Sequence, residues 1–437
     1  MIRKTLARMF ILLSIVVVVS LAWNGLKERR YREHMPLGEV IGPNEDAVMA
    51  DAIAMALRMI NRTRDDLTEK GLTGHVTPAG LKGKGPADEA LDDEGAVVFR
   101  RDVHIKTHGC VKAHFIVPEV ESRFRWGLFA APGRYPAWIR YSNGDYVMNP
   151  DKKPDARGMA IKVMDVPGEK LLAWQKTAPT QDFVMMNATN YFIRHLDDYV
   201  ELTKYLAVQD NFGYFLNGWS WNPLSWRWRE LRLVLGTKKK PPETPLLTQY
   251  FSASAYALGP DQYIKFSARP AECPADDGET GSTKTGNWAT PRSDYNFLRL
   301  RMGEQLQAGP ACFDFMVQPQ VPGKPMPVED ATIAWSEKDS PFIKVARLEI
   351  PAQDFDTPGQ NLYCENLSFN PWHSLPEHRP VGVFNRVRKA LYEEVHKYRW
   401  AANEQQYSTG EAIALEPGQP REPNSWCLDG EQGDCAP

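Results

Sequence analysis

The sequence predicts an α+β fold in which many short β-strands form a barrel or a sandwich beside a few helices. Three observations support this prediction. From residue 97 onward, short runs rich in β-branched and aromatic residues are separated by Pro, Gly and Asp. The 34 prolines among 437 residues favour irregular connections over long helices. Apolar residues make up 43% of the chain, which is enough for a large core.

The composition also limits the classes of protein and partner. With 24% charged residues and a formal net charge of −3, the chain has no strong field that would attract nucleic acid. We therefore expect no nucleic-acid partner. The same composition excludes wholesale disorder and a multi-span membrane protein.

The predicted elements divide the chain into four parts. These are a targeting segment in residues 1–35, a helical arm in residues 36–95, the main folded domain in residues 96–402, and a tail rich in Pro, Gly and Glu in residues 403–437. The predicted helices are residues 44–63, 195–208 and 380–400. The predicted strands are residues 103–117, 135–142, 157–166, 170–175, 180–187, 249–258, 263–270, 311–321 and 342–350.

The N-terminus has the layout of a membrane-targeting segment. Arg3, Lys4 and Arg8 precede an unbroken apolar run over residues 9–23. At about 1.5 Å per residue this run is about 23 Å long, shorter than the roughly 30 Å hydrocarbon layer, so a cleavable signal peptide and an uncleaved anchor both remain open. Either one predicts an exported protein in the periplasm or at the cell membrane, in contact with the membrane through this segment.

Cysteines and histidines give weaker signals. The six cysteines are scattered, and only Cys427 and Cys435 are spaced like a disulfide pair, with two free thiols as the alternative. No CxxC occurs, so a thiolate zinc site is not expected. If His104 and His108 both lay on a strand, they would be about 13 Å apart, too far to share one ion. The Gly-rich run at residues 278–286 lacks the order of a phosphate-binding loop and predicts a surface loop.

The most informative pattern is in the predicted C-terminal helix. Arg388, Tyr392, His396 and Arg399 follow one another at offsets of 0, 4, 8 and 11, which places them on one helix face. One interpretation is a solvated basic stripe with a single aromatic. The other is a metal centre, because an arginine one turn from a tyrosine favours the phenolate, and a phenolate is a ligand for ferric haem iron.

Four motifs occur in order along the chain: RDVHIKTHG at residues 101–109, RYS at 140–142, DARGMAIKV at 155–163 and RKALYEEVHKYR at 388–399. On these motifs the sequence resembles the haem catalase superfamily, in particular its small bacterial catalase-like members. The resemblance covers about residues 95–402. It implies a catalase-like antiparallel β-barrel with surrounding helices, and a haem b buried between the barrel and the C-terminal helix.

The resemblance also implies a role for each motif residue. His104 would be the distal base, Ser142 would hydrogen-bond its ring, and Asn187 would be the distal asparagine. Tyr392 would be the ligand of the haem iron and would be kept ionised by Arg388. The other residues expected to contact haem are Val103, His396 and three arginines that would meet the propionates, Arg101, Arg140 and Arg399.

By this resemblance, the chain is expected to be a haem-dependent oxidoreductase that consumes hydrogen peroxide or an organic hydroperoxide. An unidentified electron donor is implied for peroxidase activity, and the resemblance leaves room for an oligomer. Val103 occupies the position where the related coral allene oxide synthase has a threonine, which favours peroxide cleavage over the reaction of that enzyme. The alternatives are a fatty-acid hydroperoxide-transforming enzyme of that kind and a non-catalytic haem-binding envelope protein.

Overall fold

The structure is a computed structural model, and it describes residues 2–69, 101, 103–146, 149–208, 210–274, 287–357, 360–361, 363–364 and 367–406. The predicted loop at residues 278–286 lies outside the described residues. So does most of the predicted tail, including the predicted pair Cys427 and Cys435.

The described residues contain six α-helices and nine β-strands. The helices are α1 (Ile2–His34), α2 (Glu45–Glu69), α3 (Leu196–Ala207), α4 (Trp228–Thr237), α5 (Phe297–Ala308) and α6 (Val383–Gln406). The strands are β1 (Thr107–Val117), β2 (Gly133–Asn143), β3 (Arg157–Val163), β4 (Gln181–Met186), β5 (Tyr250–Phe251), β6 (Tyr256–Ala257), β7 (Tyr263–Ala271), β8 (Ala311–Pro319) and β9 (Ile343–Ile350).

Eight of these strands form a closed antiparallel barrel. The strand order is β5-β4-β3-β2-β1-β9-β8-β7-β6, and the pairing of β5 with β7 closes the sheet on itself. Strand β6 pairs only with β7 among the described strands, so it is not one of the eight strands of the closed barrel. Because the backbone groups of the barrel strands pair with both neighbours, closure removes the open edges of the sheet. The predicted α+β fold with an antiparallel barrel is confirmed.

Apolar side chains fill the inside of the barrel. Alternate residues of each strand point inward, as Val111, Ala113 and Phe115 do on β1. Aromatic rings pack at the centre, where the centroids of Phe183 and Phe315 are 4.8 Å apart. The barrel interior is therefore a packed core, and a ligand cavity has to lie outside it.

The helices α2, α3 and α6 pack together beside the barrel. Ala56 and Ile60 of α2 are buried against Leu391 and Val395 of α6. A second apolar cluster joins Ala52 of α2 to residues of α3 and α6. These contacts fix the rotation of α6, so the face that carries the predicted ligand residues has a defined direction.

The N-terminal helix α1 is attached to the segment around α4 by polar contacts. Ser20 Oγ is buried and donates to the carbonyl oxygen of Pro223 at 2.8 Å, while Trp228 Nε1 donates to Ser20 Oγ at 2.9 Å. Glu28 forms ion pairs with Arg194 at 2.8 Å and Arg229 at 3.0 Å. No helix in the described part of the chain combines the length and the apolar character that spanning a membrane requires.

Several secondary-structure predictions are wrong in detail. Residues 170–175 form no strand; Lys170 Nζ donates to the carbonyl oxygens of Val166 and Gly168, which holds a turn there, and a 3-10 helix Ala173–Gln175 follows. The predicted strand at residues 249–258 is split into β5 and β6. Helices α4 and α5 were not predicted. Helix α5 is buried on several faces, so its sequence lacks the one-sided apolar period of a surface helix.

Candidate functional site

A cavity lies between the outer face of the barrel strands β2 to β4 and the helix α6. On the barrel side, Arg140, Ala160 and Val184 form one cross-strand row, since Arg140 is opposite Ala160 and Ala160 is opposite Val184. The lining residues are Arg101, Val103, His104, Arg140, Ser142, Gly158, Met159, Ala160, Val184, Met185, Ser368, Phe369, Tyr392, Val395, His396 and Arg399. Eight of the ten residues predicted for the site are therefore brought to one cavity.

His104 is held both at its ring and at its backbone. His104 lies just before β1, with a φ of 57° that places its backbone in the left-handed region, which non-glycine residues rarely adopt. Its Nδ1 is 3.0 Å from Ser142 Oγ, and its carbonyl oxygen accepts from Arg140 Nη2 at 2.9 Å. Since Nδ1 is engaged by the serine, Nε2 is the ring nitrogen that remains for proton transfer. The predicted contact of Ser142 with His104 is present.

His104 keeps a neutral ring at physiological pH. Burial, together with the positive charges of Arg140, Arg388 and Arg101, lowers its pKa to about 3. An imidazole that is neutral can accept a proton, whereas the protonated form cannot. The cavity therefore keeps the His104 ring in the neutral form, which has a nitrogen free of a proton.

Tyr392 enters the cavity from α6 with its phenol oxygen bound to an arginine. Arg388 donates to Tyr392 Oη from Nε at 3.2 Å and from Nη2 at 3.1 Å. Arg388 is buried; burial lowers its pKa, but Tyr191, Tyr392 and Tyr256 raise it by more, so the guanidinium keeps its charge. A cation that donates two hydrogen bonds to one phenol oxygen stabilises negative charge on that oxygen.

Positive charge dominates the rest of the lining. Arg101, Arg140 and Arg399 line the cavity, and Arg101 Nη2 donates to the carbonyl oxygen of Leu367 at 2.7 Å. Burial, together with positive charges of which Arg399 contributes most, lowers the pKa of His396 to about 3. The His396 ring stacks on Trp174 at a centroid distance of 5.8 Å. Arginines in this number suit a ligand that carries carboxylates.

Two of the predicted site residues lie behind the cavity wall. Arg388 reaches the cavity only through Tyr392. Asn187 is buried one residue after β4, and its Oδ1 accepts from the backbone N–H of Arg157 at 2.8 Å. Its own carbonyl oxygen accepts from Lys239 Nζ at 2.8 Å. Asn187 therefore joins the ends of β3 and β4 and is not one of the lining residues.

Buried charges support the strand ends that carry the site. Lys106, two residues after His104, forms an ion pair with Asp151 at 2.9 Å, and its carbonyl oxygen accepts from the backbone N–H of Asn143. Arg157, beside Gly158, donates to the carbonyl oxygen of Asp151 at 2.9 Å. Asp151 therefore ties the segment of His104 to the start of β3, a role that the sequence pattern did not indicate.

The wall segment at residues 367–369 was missed by the sequence analysis. Ser368 and Phe369 line the cavity, and no motif pointed to them. A disulfide between Cys110 of β1 and Cys364 anchors the segment, with the two Cα atoms 5.9 Å apart. The only available signal was the pair of cysteines, which are 254 residues apart in the sequence.

The interpretation of the cysteines as scattered and without a framework is wrong. Besides Cys110 and Cys364, the structure pairs Cys273 with Cys312, whose Cα atoms are 5.2 Å apart. Both pairs are created by the barrel, which brings distant segments side by side, so sequence spacing could not reveal them. Among the described residues, no group of three or more His, Cys, Asp or Glu side chains is arranged to hold a metal ion.

No model of a protein family matches the chain, and no curated protein matches it. Solved structures similar to it include a fungal catalase (TM-score 0.51, 16% identity, 77% of this chain and 69% of that one), a bacterial catalase (0.51, 15%, 73% and 61%) and catalase A from Saccharomyces cerevisiae (0.52, 16%, 77% and 71%). At such identities the likeness establishes the fold alone, which is catalase-like.

Proposed function

We propose that this protein is a haem-dependent oxidoreductase that cleaves hydrogen peroxide or organic hydroperoxides at a tyrosinate-ligated haem b. The observation that carries the proposal is the meeting of two hydrogen-bonded pairs at one cavity. His104 with Ser142 comes from the barrel side, and Tyr392 with Arg388 comes from α6. The likeness of the fold to catalases supports it.

The side chains around the cavity fit a haem. Tyr392 would bind the iron, because a phenol oxygen stabilised by Arg388 is a hard anionic ligand. Arg101, Arg140 and Arg399 would pair with the two propionates. The faces of the porphyrin would contact apolar side chains, which the cavity offers in Val103, Ala160, Val184, Phe369 and Val395.

The bound haem would supply a ferric ion that holds the peroxide and provides the two electrons for cleavage of its O–O bond. The protein contributes proton transfer. His104 takes the proton from one oxygen of the peroxide and delivers it to the other, so that water, or an alcohol from an organic hydroperoxide, can leave. Ser142 keeps the ring in one tautomer, and Arg140 holds the backbone of His104 in place.

The first experiment measures haem loading. We expect the wild-type protein to bind haem stoichiometrically with the absorption spectrum of a tyrosinate-ligated ferric haem, and Tyr392→Phe to lose that spectrum because the ligand oxygen is gone. Tyr398→Phe is the matched control: it lies on the same helix, and its hydroxyl donates to Asn61 Oδ1. An unchanged Soret band in Tyr392→Phe would show that Tyr392 is not the ligand of the haem iron.

The second experiment measures peroxide cleavage. We expect His104→Ala to keep its haem and to lose at least about 10²-fold in cleavage rate, the lower end for general acid–base catalysis. The exposed His195, which precedes α3, provides the control His195→Ala. If haem-loaded His104→Ala cleaved peroxide at the wild-type rate, His104 would not be the group that transfers the proton.

Three assays on the loaded protein separate the candidate reactions. Oxygen release from hydrogen peroxide indicates catalase activity, and oxidation of a phenolic dye without oxygen release indicates a peroxidase with an external electron donor. Consumption of a fatty-acid hydroperoxide without dye oxidation indicates a hydroperoxide-transforming enzyme. A haem-loaded protein that is inactive in all three assays would be a non-catalytic haem-binding protein, and the proposal would be wrong.

We also propose that the protein is exported and acts in the periplasm or at the cell membrane. The N-terminal charged and apolar regions support this location, and so do the two disulfides, which persist in oxidising compartments. Cell fractionation is the test: recovery of the protein in the cytosol with reduced cysteines would contradict the proposal.

A further inference from the structure

Most of the exposed apolar surface of the described residues is concentrated in two segments. All but three of the large apolar side chains that are exposed there belong to α1 or to residues 208–235, the exceptions being Val40, Ile41 and Trp126. In α1 they are Ile15, Val16, Val18, Val19, Leu21, Trp23 and Leu26; in the second segment they are Val208, Phe212, Trp219, Trp221, Leu224 and Leu235. Concentration of this kind marks an interaction surface.

We call the second segment the tryptophan loop (residues 208–235). Hydrogen bonds within the segment hold its backbone so that its large apolar side chains point outward. Asp210 accepts from the backbone N–H groups of Phe212 and Gly213 and from Trp219 Nε1 at 2.7 Å. Trp219 itself has a left-handed φ of 61°. Trp221, two residues later, is 99% exposed. The polar contacts are thus satisfied inside the loop while its large rings face solvent.

The tryptophan loop and α1 are parts of one surface. Ser20 lies inside the apolar run of α1, and its Oγ is bonded to the carbonyl oxygen of Pro223 and to Trp228 Nε1. Any medium that accepts the apolar run of α1 at Ser20 therefore meets the loop around Pro223 at the same depth. The two segments cannot be placed in different environments without breaking these bonds.

Charge identifies the medium. Directly after the apolar run, α1 exposes Lys27, Arg29, Arg30 and Arg32. Glu33 pairs with Arg29 and Glu28 pairs with Arg32, so these turns keep a net positive charge. An apolar surface with tryptophans that is followed by a band of basic side chains matches the order of acyl chains, interface and anionic headgroups in a bilayer. Tryptophan is enriched at that interface because its ring is amphipathic.

We propose that the tryptophan loop and α1 together form a docking surface for a bilayer that contains anionic phospholipids. The haem domain itself then contacts the lipid, in addition to the N-terminal segment. This arrangement lies along the membrane surface rather than across it, and it places the catalase-like domain next to the bilayer.

The test uses the full-length, haem-loaded protein and vesicles of phosphatidylethanolamine and phosphatidylglycerol. Bromine atoms on the acyl chains quench the fluorescence of tryptophans that enter the bilayer, and we expect Trp221 to be one of them. Trp221→Phe should therefore show a smaller quenched fraction of its tryptophan fluorescence than wild type. Trp126→Phe is the matched control and should lose an unquenched part, because Trp126 packs beside Gly259 and belongs to neither the tryptophan loop nor α1. Quenching that is the same in Trp221→Phe and wild type would overturn the proposal.

Partitioning gives a second readout. We expect the double variant Trp221→Asp/Leu224→Asp to bind these vesicles about tenfold more weakly, since affinity scales with buried apolar area, while Ile41→Asp binds like wild type. An unchanged absorption spectrum of the haem verifies that the variants are folded. If the double variant binds vesicles normally, α1 alone attaches the protein. If it alters only the oligomeric state, the surface binds a second copy. Either result would overturn the proposal.

Discussion

The place of the His104 ring depends on the residue opposite Ser142 in the sheet. That residue is Gly158, which pairs with Ser142 across β2 and β3. A Cβ atom at position 158 would lie 2.6 Å from His104 Nδ1 and 2.8 Å from Ser142 Oγ. Real Cβ atoms do not approach other atoms this closely, so the imidazole can lie against the strand only because position 158 has no side chain.

Gly158→Ala should therefore displace the His104 ring and break its bond to Ser142. We expect the variant to load haem, because Tyr392 and the arginines are untouched, and to cleave peroxide at least about 10²-fold more slowly through loss of the positioned base. Haem titration and stopped-flow cleavage rates provide the measurement. Gly303→Ala in α5 is the control, since the nearest atom to its added Cβ would be 4.0 Å away. A cleavage rate within twofold of wild type would show that the ring adjusts freely.

Residue types in motifs could be predicted from the sequence, but backbone placement could not. The offsets of Arg388, Tyr392, His396 and Arg399 fix their common face because a helix has one period. The left-handed backbone of His104 and the orientation of Asn187 toward Arg157 depend on contacts between strands. The sequence contains no local signal for either, and Ser368 and Phe369 have none at all.

At the scale of elements, the two disulfides stabilise different parts of the structure. The pair Cys110 and Cys364 lies in a small apolar cluster with Trp138 and Leu367, directly before the wall residues of the cavity. The pair Cys273 and Cys312 joins neighbouring parts of the barrel. The first therefore positions a wall of the site, while the second stabilises the barrel alone.

Removing the first pair should weaken haem retention. We expect the free energy of unfolding of Cys110→Ala/Cys364→Ala to be about 2–4 kcal/mol lower than that of wild type. We also expect this variant to release haem faster, because the segment that carries Phe369 is no longer anchored. Cys273→Ala/Cys312→Ala should lose stability without a faster release. Thermal unfolding and transfer of haem to apomyoglobin measure the two effects. Equal release rates in both variants would contradict a specific role of the first disulfide.

The limits of sequence analysis at this scale are those of long-range pairing. Strands with alternating residues, such as β2 and β7 to β9, were predicted within two residues of their bounds because the period of two is local. The strand predicted at residues 103–117 begins four residues too early, since β1 begins at Thr107 and His104 lies before it. The disulfides, the closure of β5 on β7 and the attachment of α1 to α4 join segments that are distant in the sequence. Spacing within the chain carries no information about such contacts.

At the scale of the whole molecule, burial of neutral histidines makes folding sensitive to acid. Besides the histidines at the cavity, His378 is buried beneath the 3-10 helix Gly127–Phe129, where its Nε2 is 2.9 Å from the carbonyl oxygen of Trp126 and 3.2 Å from the backbone nitrogen of Leu128. Burial lowers the pKa of His378 to about 4, from 6.5 for an exposed histidine, despite an opposing contribution from the carbonyl of Trp126. Between these two pKa values the unfolded chain therefore binds a proton at this histidine, whereas the folded protein does not.

The sign and size of this effect follow from proton linkage. Above pH 6.5 neither state binds the proton at His378, and its contribution to stability is unchanged. Between about pH 6.5 and pH 4 the unfolded state gains the proton first, so His378 lowers the free energy of unfolding by about 2 kcal/mol at pH 5. Asp155, whose pKa burial raises to about 6, acts in the opposite sense, because its folded form takes up a proton before the unfolded form does.

His378→Gln isolates the contribution of this histidine, because a side-chain amide has both a donor for the carbonyl oxygen of Trp126 and an acceptor for the backbone N–H of Leu128, but does not titrate. We expect the variant of the haem-free protein to be less stable than wild type at pH 7, and this deficit to shrink by about 2 kcal/mol at pH 5. Guanidinium unfolding at the two pH values measures it, and the contribution of Asp155 cancels between variant and wild type. A deficit that is the same at both pH values would mean that His378 accepts its proton in the folded protein as readily as in the unfolded chain.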